Sequence, residues 1–455
     1  MGFFKAYDMR GEFGKDFTID TVYRVGRWLP SILGARRFLI GRDMRLTSDA
    51  MRDALCAGLN EAGADVDDMG LSTTPMVYFF TAKKDYDASV MITASHNPKT
   101  NNGMKVSKRG AIPVGGDTGL GLLESRIATG KFLEPAPVPG VTRLVSYLPE
   151  YISWLKNQGL SFVGLRFAVD CSDGAAGILA HSLFDMPNDL FGSESFFLND
   201  KPDGDFPHHS PNPLAAEARE QISALVREKK LDCGLIFDGD ADRVMFVDEK
   251  GTFVQPDYLI PVIARHFLKK EPKATVIHDI RTSRGAINAL KRDGAKPVMG
   301  KVGHAFAKVL MRQVNAVCGG ELAGHYYFRD FVNCDSGELA ALIVLSAVAE
   351  AKAKGSTFSK LMKPILRFQT TGECNFRIED KDAALNAARQ TMEATYGKPQ
   401  SVADFDGIRM EYKDGWISIR KSNTEPFLRL IVEAKTADIR DAWYRLIVET
   451  FAAYQ

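Results

Sequence analysis

The sequence predicts an α/β protein assembled from several units of alternating strand and helix. Short apolar runs that read as buried strands recur along most of the chain, separated by stretches with apolar residues at helical spacing. Such alternation favours mostly parallel sheets covered by helices. The 455 residues are enough for about three domains of ordinary size. From about Leu366 the pattern changes to strands grouped around two helices, an α+β unit distinct from what precedes it.

In the first unit, residues 1–145, Tyr7-Asp8-Met9-Arg10-Gly11 reads as the end of a strand followed by a glycine turn. Residues 38–40 form a strand with Gly41-Arg42-Asp43 as its exit loop. A helix follows, with Met51, Leu55 and Leu59 at four-residue spacing and Thr47 or Ser48 as its cap. Residues 64–69 are a weaker strand and 88–92 a strong, fully apolar one. Asn102-Gly103 reads as the tight turn of a hairpin that would return Lys105 toward the preceding loop. Pro135, Pro137, Pro139 and Gly140 close the unit.

The second unit, 146–252, has strands at 165–169, 233–237 and 244–247, a helix at 214–228, and a loop of Asp, Gly and Pro at 199–207. The third, 253–365, has a helix at 257–268, strands at 275–278, 297–299 and 315–318, and a long helix at 337–354. The last, 366–455, has strands at 373–378, 416–420 and 427–432, a helix at 381–395 and a final helix.

Composition narrows the classes. Apolar residues make up 45% and charged residues 25%, ordinary for a globular protein in water, and the formal net charge of +1 implies neither a nucleic-acid partner nor a membrane surface. Six cysteines with no pair at CxxC spacing argue against a zinc site or a disulfide framework and place the chain in a reducing cytoplasm. No apolar run is long enough to span a membrane.

Four loops carry chemistry-bearing residues. After the apolar strand 88–92 come Thr93-Ala94-Ser95-His96-Asn97-Pro98, where Pro98 biases Asn97 away from helix. This puts a hydroxyl and an imidazole at the carboxyl end of a strand, where open α/β sheets hold their ligands. After the strand at 233–237 come Asp238-Gly239-Asp240-Ala241-Asp242-Arg243. Three carboxylates so close repel one another unless a cation neutralises them, and a hard divalent ion suits oxygen ligands. A calcium-binding EF-hand loop spaces carboxylates similarly and Glu249 falls at its last position, but Arg243 stands where that loop needs glycine. Gly319-Gly320-Glu321-Leu322-Ala323-Gly324-His325 offers an acceptor, a switchable donor, and glycines that allow close approach of a ligand. Arg420-Lys421-Ser422-Asn423-Thr424-Glu425-Pro426, between two strands, suits a dianionic phosphate.

Together these residues resemble the α-D-phosphohexomutases, the phosphomannomutase/phosphoglucomutase family. The loop at Ser95 resembles its phosphoserine loop, Asp238 to Arg243 its metal loop, Lys301-Val302-Gly303-His304 its Lys-x-Gly-His element, and Arg420 to Pro426 its Arg-x-Ser-Asn-Thr-x-Pro loop. Gly320 to His325 is similar to its sugar loop, usually Gly-Glu-Met-Ser-Gly-His, with Leu322 for Met and Ala323 for Ser. The resemblance covers essentially the whole chain. It implies three similar mixed-sheet α/β domains plus a C-terminal α+β domain around a central cleft.

The resemblance also implies roles. Ser95 would carry the phosphoryl group, and Asp238, Asp240 and Asp242 would hold Mg²⁺ together with the group on Ser95. Lys105 and Arg243 would add positive charge, and His96, His304, His325 and Lys105 are candidates for proton transfer. Tyr7, Arg10, Arg281, Glu321 and His325 would meet the sugar phosphate. Arg420, Lys421, Ser422, Asn423, Thr424 and Arg429 would hold its distal phosphate. The implied reaction moves phosphate between C1 and C6 of an aldohexose, mannose before glucose, with a hexose 1,6-bisphosphate as intermediate and activator. A metal-dependent phosphohydrolase and a non-catalytic sugar-phosphate sensor are the alternatives.

Overall fold

A computed structural model describes residues 2–131, 133–185, 192–422 and 427–454. Four sheets follow one another along the chain. In the first, Ala88–Ile92, Arg37–Arg42, Asp65–Leu71 and Thr142–Leu144 are parallel, and Asn101–Lys108 and Met9–Glu12 add antiparallel at the Ala88–Ile92 edge. In the second, Glu194–Leu198, Arg166–Asp170 and Cys233–Phe237 are parallel, with Val244–Asp248 and Phe253–Val254 antiparallel beyond them. In the third, Lys296–Gly300, Thr275–Asp279 and Cys318–Gly320 are parallel, with Tyr326–Phe328 and Cys334–Asp335 antiparallel. The fourth is antiparallel throughout its described strands. Helices Lys381–Tyr396 and Ala437–Ala452 pack on it.

One step recurs in the first three sheets. The chain leaves the parallel strand that borders the antiparallel part of the sheet, makes a loop, and returns antiparallel beside it. Those loops are 93–100, 238–243 and 321–325. The three chemistry-bearing loops therefore occupy equivalent places. Ala88–Ile92 and Cys233–Phe237 are buried at every position, which is why they read as unbroken apolar runs.

Alternation along Arg37–Arg42 sends Phe38 and Ile40 to one core and Leu39 to another. The core of Leu39 runs on through Phe80, Phe167, Leu235, Phe246, Val276 and Tyr326, so the first three units share one continuous interior. The fourth unit has its own. Its junction with the third is a small apolar contact of Leu322 with Trp416 and Ile431, surrounded by polar bonds. Arg409 stacks on Trp416, 3.7 Å from its ring centre, and donates to the carbonyls of Ile280 (2.7 Å) and Thr282 (2.6 Å). Arg284 donates to Glu411 at 2.9 Å.

Several sequence expectations change. Asn102-Gly103 is not a turn but lies inside Asn101–Lys108, and the reversal is made by 93–100. A Cβ on Gly103 would lie 2.2 Å from the Met9 carbonyl, so this glycine serves close strand approach. Gly11 is likewise in a strand, opposite Asn102. The strand expected at 315–318 is Cys318–Gly320, because Asn315, at φ +47°, belongs to the turn after helix His304–Gln313. Gly319 and Gly320 consequently face neighbouring protein rather than a ligand: a Cβ on Gly319 would lie 2.1 Å from Ile277. Helix Thr74–Lys83 carried no periodic signal because it is buried all round. No described helix is long and apolar enough to cross a membrane.

Trp416→Ala should lower unfolding free energy by about 3 kcal/mol, the usual cost of emptying a buried indole site. Denaturant titration measures the loss, and limited proteolysis should show earlier cleavage near the 366–373 connection.

Candidate active site

Ser95 sits at φ +51°, a conformation costly for a residue with a Cβ. A single side chain accounts for how it is held. Arg45 is fully buried, and its guanidinium donates to the carbonyls of Ser95 (2.8 Å), Asn97 (2.6 Å), Pro98 (2.7 Å) and Asn101 (2.9 Å). Its Nε donates to Asp43 at 3.2 Å, so all five donors are used. The Ser95 amide donates to Thr93 Oγ1 at 2.8 Å. The Ser95 hydroxyl donates to Asp238 Oδ2 at 2.7 Å and stands 3.3 Å from His96 Nδ1. Burial, Arg243 and Arg10 hold the His96 imidazole well below its ordinary pKa.

Asp238, Asp240 and Asp242 are completely buried. Lys105 Nζ from the first sheet donates to Asp240 at 2.7 Å and Asp242 at 2.6 Å, and Thr74 Oγ1 donates to Asp240 at 2.6 Å. Arg243 Nε is 3.7 Å from Asp238 and 3.8 Å from Asp242. Burial and the neighbouring Asp242 and Asp240 push the Asp238 carboxyl well above the carboxylate range. Asp240 is held below that range because the ammonium of Lys105 and hydrogen bonds outweigh its burial. The same carboxylates raise Lys105 and keep it an ammonium. Asp240 Oδ1 and Asp242 Oδ1 are buried with no hydrogen-bond partner among the described residues, and ligand oxygens of all three aspartates lie within 4.8 Å of one another. Buried, unpartnered carboxylate oxygens converging in this way fit a hard divalent cation. The backbone fits as tightly, since a Cβ on Gly239 would stand 2.5 Å from the Ser95 carbonyl.

The third loop closes on the second. Arg243 and His325 form a backbone bridge, and Arg243 Nε donates to His325 Nε2 at 3.0 Å. Glu321 Oε1 accepts the Gly303 amide at 2.8 Å, which ties the 321–325 loop to the turn before His304. Tyr7 meets the His304 ring edge-on, centroids 5.2 Å apart. Arg10 donates to Asn97 Oδ1 at 3.0 Å and pairs with Asp8 at 2.8 Å. Ser95, His96, Lys105, Arg243, Glu321, His304, His325, Tyr7 and Arg10 are thus joined by contacts through three successive units.

In the fourth sheet Arg420 and Arg429 are directly cross-strand partners. Like charges so placed repel, and each has a carboxylate: Arg420 donates to both Asp406 oxygens at 3.0 Å, and Arg429 Nη1 is 3.4 Å from Glu373. Glu373 also lies 3.5 Å from Arg281, whose main partner is Asp279 at 2.7 Å. Ser422 Oγ accepts from Arg429 at 3.5 Å. Lys421, grouped with them by sequence, is turned away by strand alternation and pairs with Asp382. Asn423 and Thr424 lie outside the described residues.

Sequence reasoning missed Asp43, Thr74, Arg45, Asp335, Glu373 and Asp406. Asp43 and Arg45 had a usable signal, as charged residues just after a parallel strand at the same sheet end as Ser95. The others act from elements whose packing only the fold reveals.

Arg45→Met should keep volume but strip four loop carbonyls and Asp43 Oδ2 of their guanidinium donors. Misplacement of Ser95 on this scale should lower kcat by about 100-fold.

Comparison with known proteins agrees with this arrangement. Family models for phosphoglucomutase/phosphomannomutase match in four consecutive pieces: α/β/α domain I at residues 1–133, domain II at 146–251, domain III at 255–367 and the C-terminal domain at 373–444. The chain is 36% identical over 446 residues to a phosphomannomutase of Escherichia coli, with 95% of each chain covered. It is 38% identical over 445 residues to one of Salmonella montevideo, covering 95% of this chain and 94% of that one. The crystal structure of a phosphoglucomutase/phosphomannomutase family protein from Burkholderia thailandensis matches with a TM-score of 0.88 at 29% identity, covering 99% and 97%. Four consecutive domain matches and relatives more than a third identical over nearly the whole length leave one conclusion: the chain belongs to the phosphoglucomutase/phosphomannomutase family and is a phosphohexomutase, an isomerase.

Proposed function

We propose that the protein interconverts mannose 1-phosphate and mannose 6-phosphate, with glucose phosphates as secondary substrates. Ser95 is the phosphoryl carrier and a hexose 1,6-bisphosphate is both intermediate and activator. The observation that carries this reading is the Ser95 hydroxyl, bonded at 2.7 Å to a carboxylate of the buried aspartate cluster and held in a strained conformation by Arg45. The names of the relatives favour mannose.

In the transfer, a sugar hydroxyl oxygen bonds to the phosphorus on Ser95 and the P–Oγ bond breaks. The hydroxyl proton is relayed to Oγ, which ends as the hydroxyl that donates to Asp238. The sugar then turns and its other phosphate is returned to Ser95. Lys105 is a fixed positive charge, since two carboxylates hold it as an ammonium. Arg243 and Arg10 flank the same region, and Glu321 accepts from sugar hydroxyls. Arg420 and Arg429, released from Asp406 and Glu373, take the distal phosphate. Asp238, Asp240 and Asp242 would hold Mg²⁺, which when bound neutralises charge on the transferring phosphoryl group.

Incubation with mannose 1-phosphate, Mg²⁺ and catalytic glucose 1,6-bisphosphate should give mannose 6-phosphate by ³¹P NMR, with little free phosphate. Accumulation of free phosphate without the 6-phosphate would refute the assignment. Ser95→Ala should lose more than about 1000-fold in kcat, with sugar-phosphate binding retained. Chelation should abolish turnover and Mg²⁺ should restore it; undiminished turnover in metal-free protein would rule out the metal role.

A further inference from the structure

Helix His304–Gln313 carries two buried polar side chains one turn apart, His304 and Lys308, on the same face. Lys308 Nζ lies 2.8 Å from Asp335 Oδ1, 3.4 Å from His304 Nδ1, and 3.6 Å from the centre of the Tyr78 ring. A carboxylate at that distance and an aromatic face both favour the ammonium. An ammonium has three donors and no acceptor. His304 Nδ1 must therefore offer its lone pair, and in a neutral imidazole the proton then sits on Nε2. That nitrogen is buried and has no hydrogen-bond partner among the described residues. Its ring stands between Tyr7, at 5.2 Å, and His325, at 6.0 Å, both members of the site.

We propose that Lys308 is a positioning residue that fixes His304 as the neutral Nε2–H tautomer, making His304 a hydrogen-bond donor to the sugar and not a proton carrier. The sugar in this statement rests on the proposed function; the tautomer does not. A proton on Nδ1 would set imidazolium against ammonium with little water between them. The groups facing His304 are Lys308 on its own helix, Asp335 from Cys334–Asp335, Lys105, His325 and Tyr7. Asp335, the anion paired with Lys308, is shared, Oδ1 with Lys308 and Oδ2 with His325 Nδ1 at 2.7 Å. Burial and Lys308 accordingly hold His304 well below the ordinary histidine range. Of the four groups that sequence offered for proton transfer, the fold removes this one and gives it a different task.

The test uses the full chain labelled with ¹⁵N-histidine. Long-range ¹H–¹⁵N spectra distinguish the two tautomers and the imidazolium, and His304→Gln identifies the signal. The expected result is an Nε2–H pattern unchanged between about pH 5 and 8. An Nδ1–H pattern, or a titration midpoint above about 5, overturns the proposal. In Lys308→Met the Nε2–H assignment should no longer be fixed and an Nδ1–H pattern should appear, while burial still holds the ring below the ordinary histidine range; an unchanged, purely Nε2–H pattern would show that Lys308 is not the cause. His304→Gln keeps a donor but cannot carry a proton, so kcat/KM should fall less than about 10-fold with its pH profile unshifted. A loss equal to that of His304→Ala, or a displaced acid limb, also overturns it. If the lysine variant fails to fold, the spectrum of the unaltered protein still decides.

Discussion

An ammonium from one domain buried between two carboxylates of the next decides how the first two domains meet. Lys105 sits completely among Asp240, Asp242 and their neighbours. Such a group is costly to desolvate, and removing one partner typically costs about 3–5 kcal/mol. It contributes little to net stability but strongly disfavours any other arrangement. Thr74, Ser95 and the Gly239 backbone then have one way to fit. The like charges of the aspartate loop, which would push it apart in isolation, become the reason the domains dock in this register.

How much of this was legible in the sequence depended on the kind of signal. Ala88–Ile92 and Cys233–Phe237 were visible as strands because central strands are apolar on both faces, and the loops after them followed directly. Asn102-Gly103 misled because the same dipeptide serves a tight turn and a crowded strand, and only the Met9 carbonyl 2.2 Å from an added Cβ tells them apart. Lys421 misled because adjacency in sequence is opposition in a strand. The place of Arg45 after a parallel strand hinted at a role, but nothing local says that four carbonyls from a loop some fifty residues away will converge on it. The resemblance supplied which residues belong together, and the physics of the fold supplies why each can stand where it does.

The fourth domain obeys a different rule. Its two arginines face each other across neighbouring strands, an arrangement that is stable only with anions nearby. Asp406 and Glu373 supply them internally, and each also reaches the third domain, Asp406 through the Val302 amide at 2.8 Å and Glu373 through Arg281. In the proposed function an incoming phosphate competes with bonds that hold the domain in place, which would couple ligand capture and domain displacement through the same four side chains.

The recurrence of one hairpin step in three sheets has a consequence for inheritance. In the proposed function the nucleophile, the cation ligands and the sugar contacts hang from separate pairs of strands, each anchored in its own sheet, with the last two loops joined at Arg243 and His325. A substitution in the sugar loop, such as alanine at 323, alters no backbone bond of the Ser95 loop or of Asp238 to Asp242. On that proposed assignment, preference among hexoses can drift through neutral variation in one hairpin, while the loops proposed to move the phosphoryl group pass unchanged from one descendant to the next.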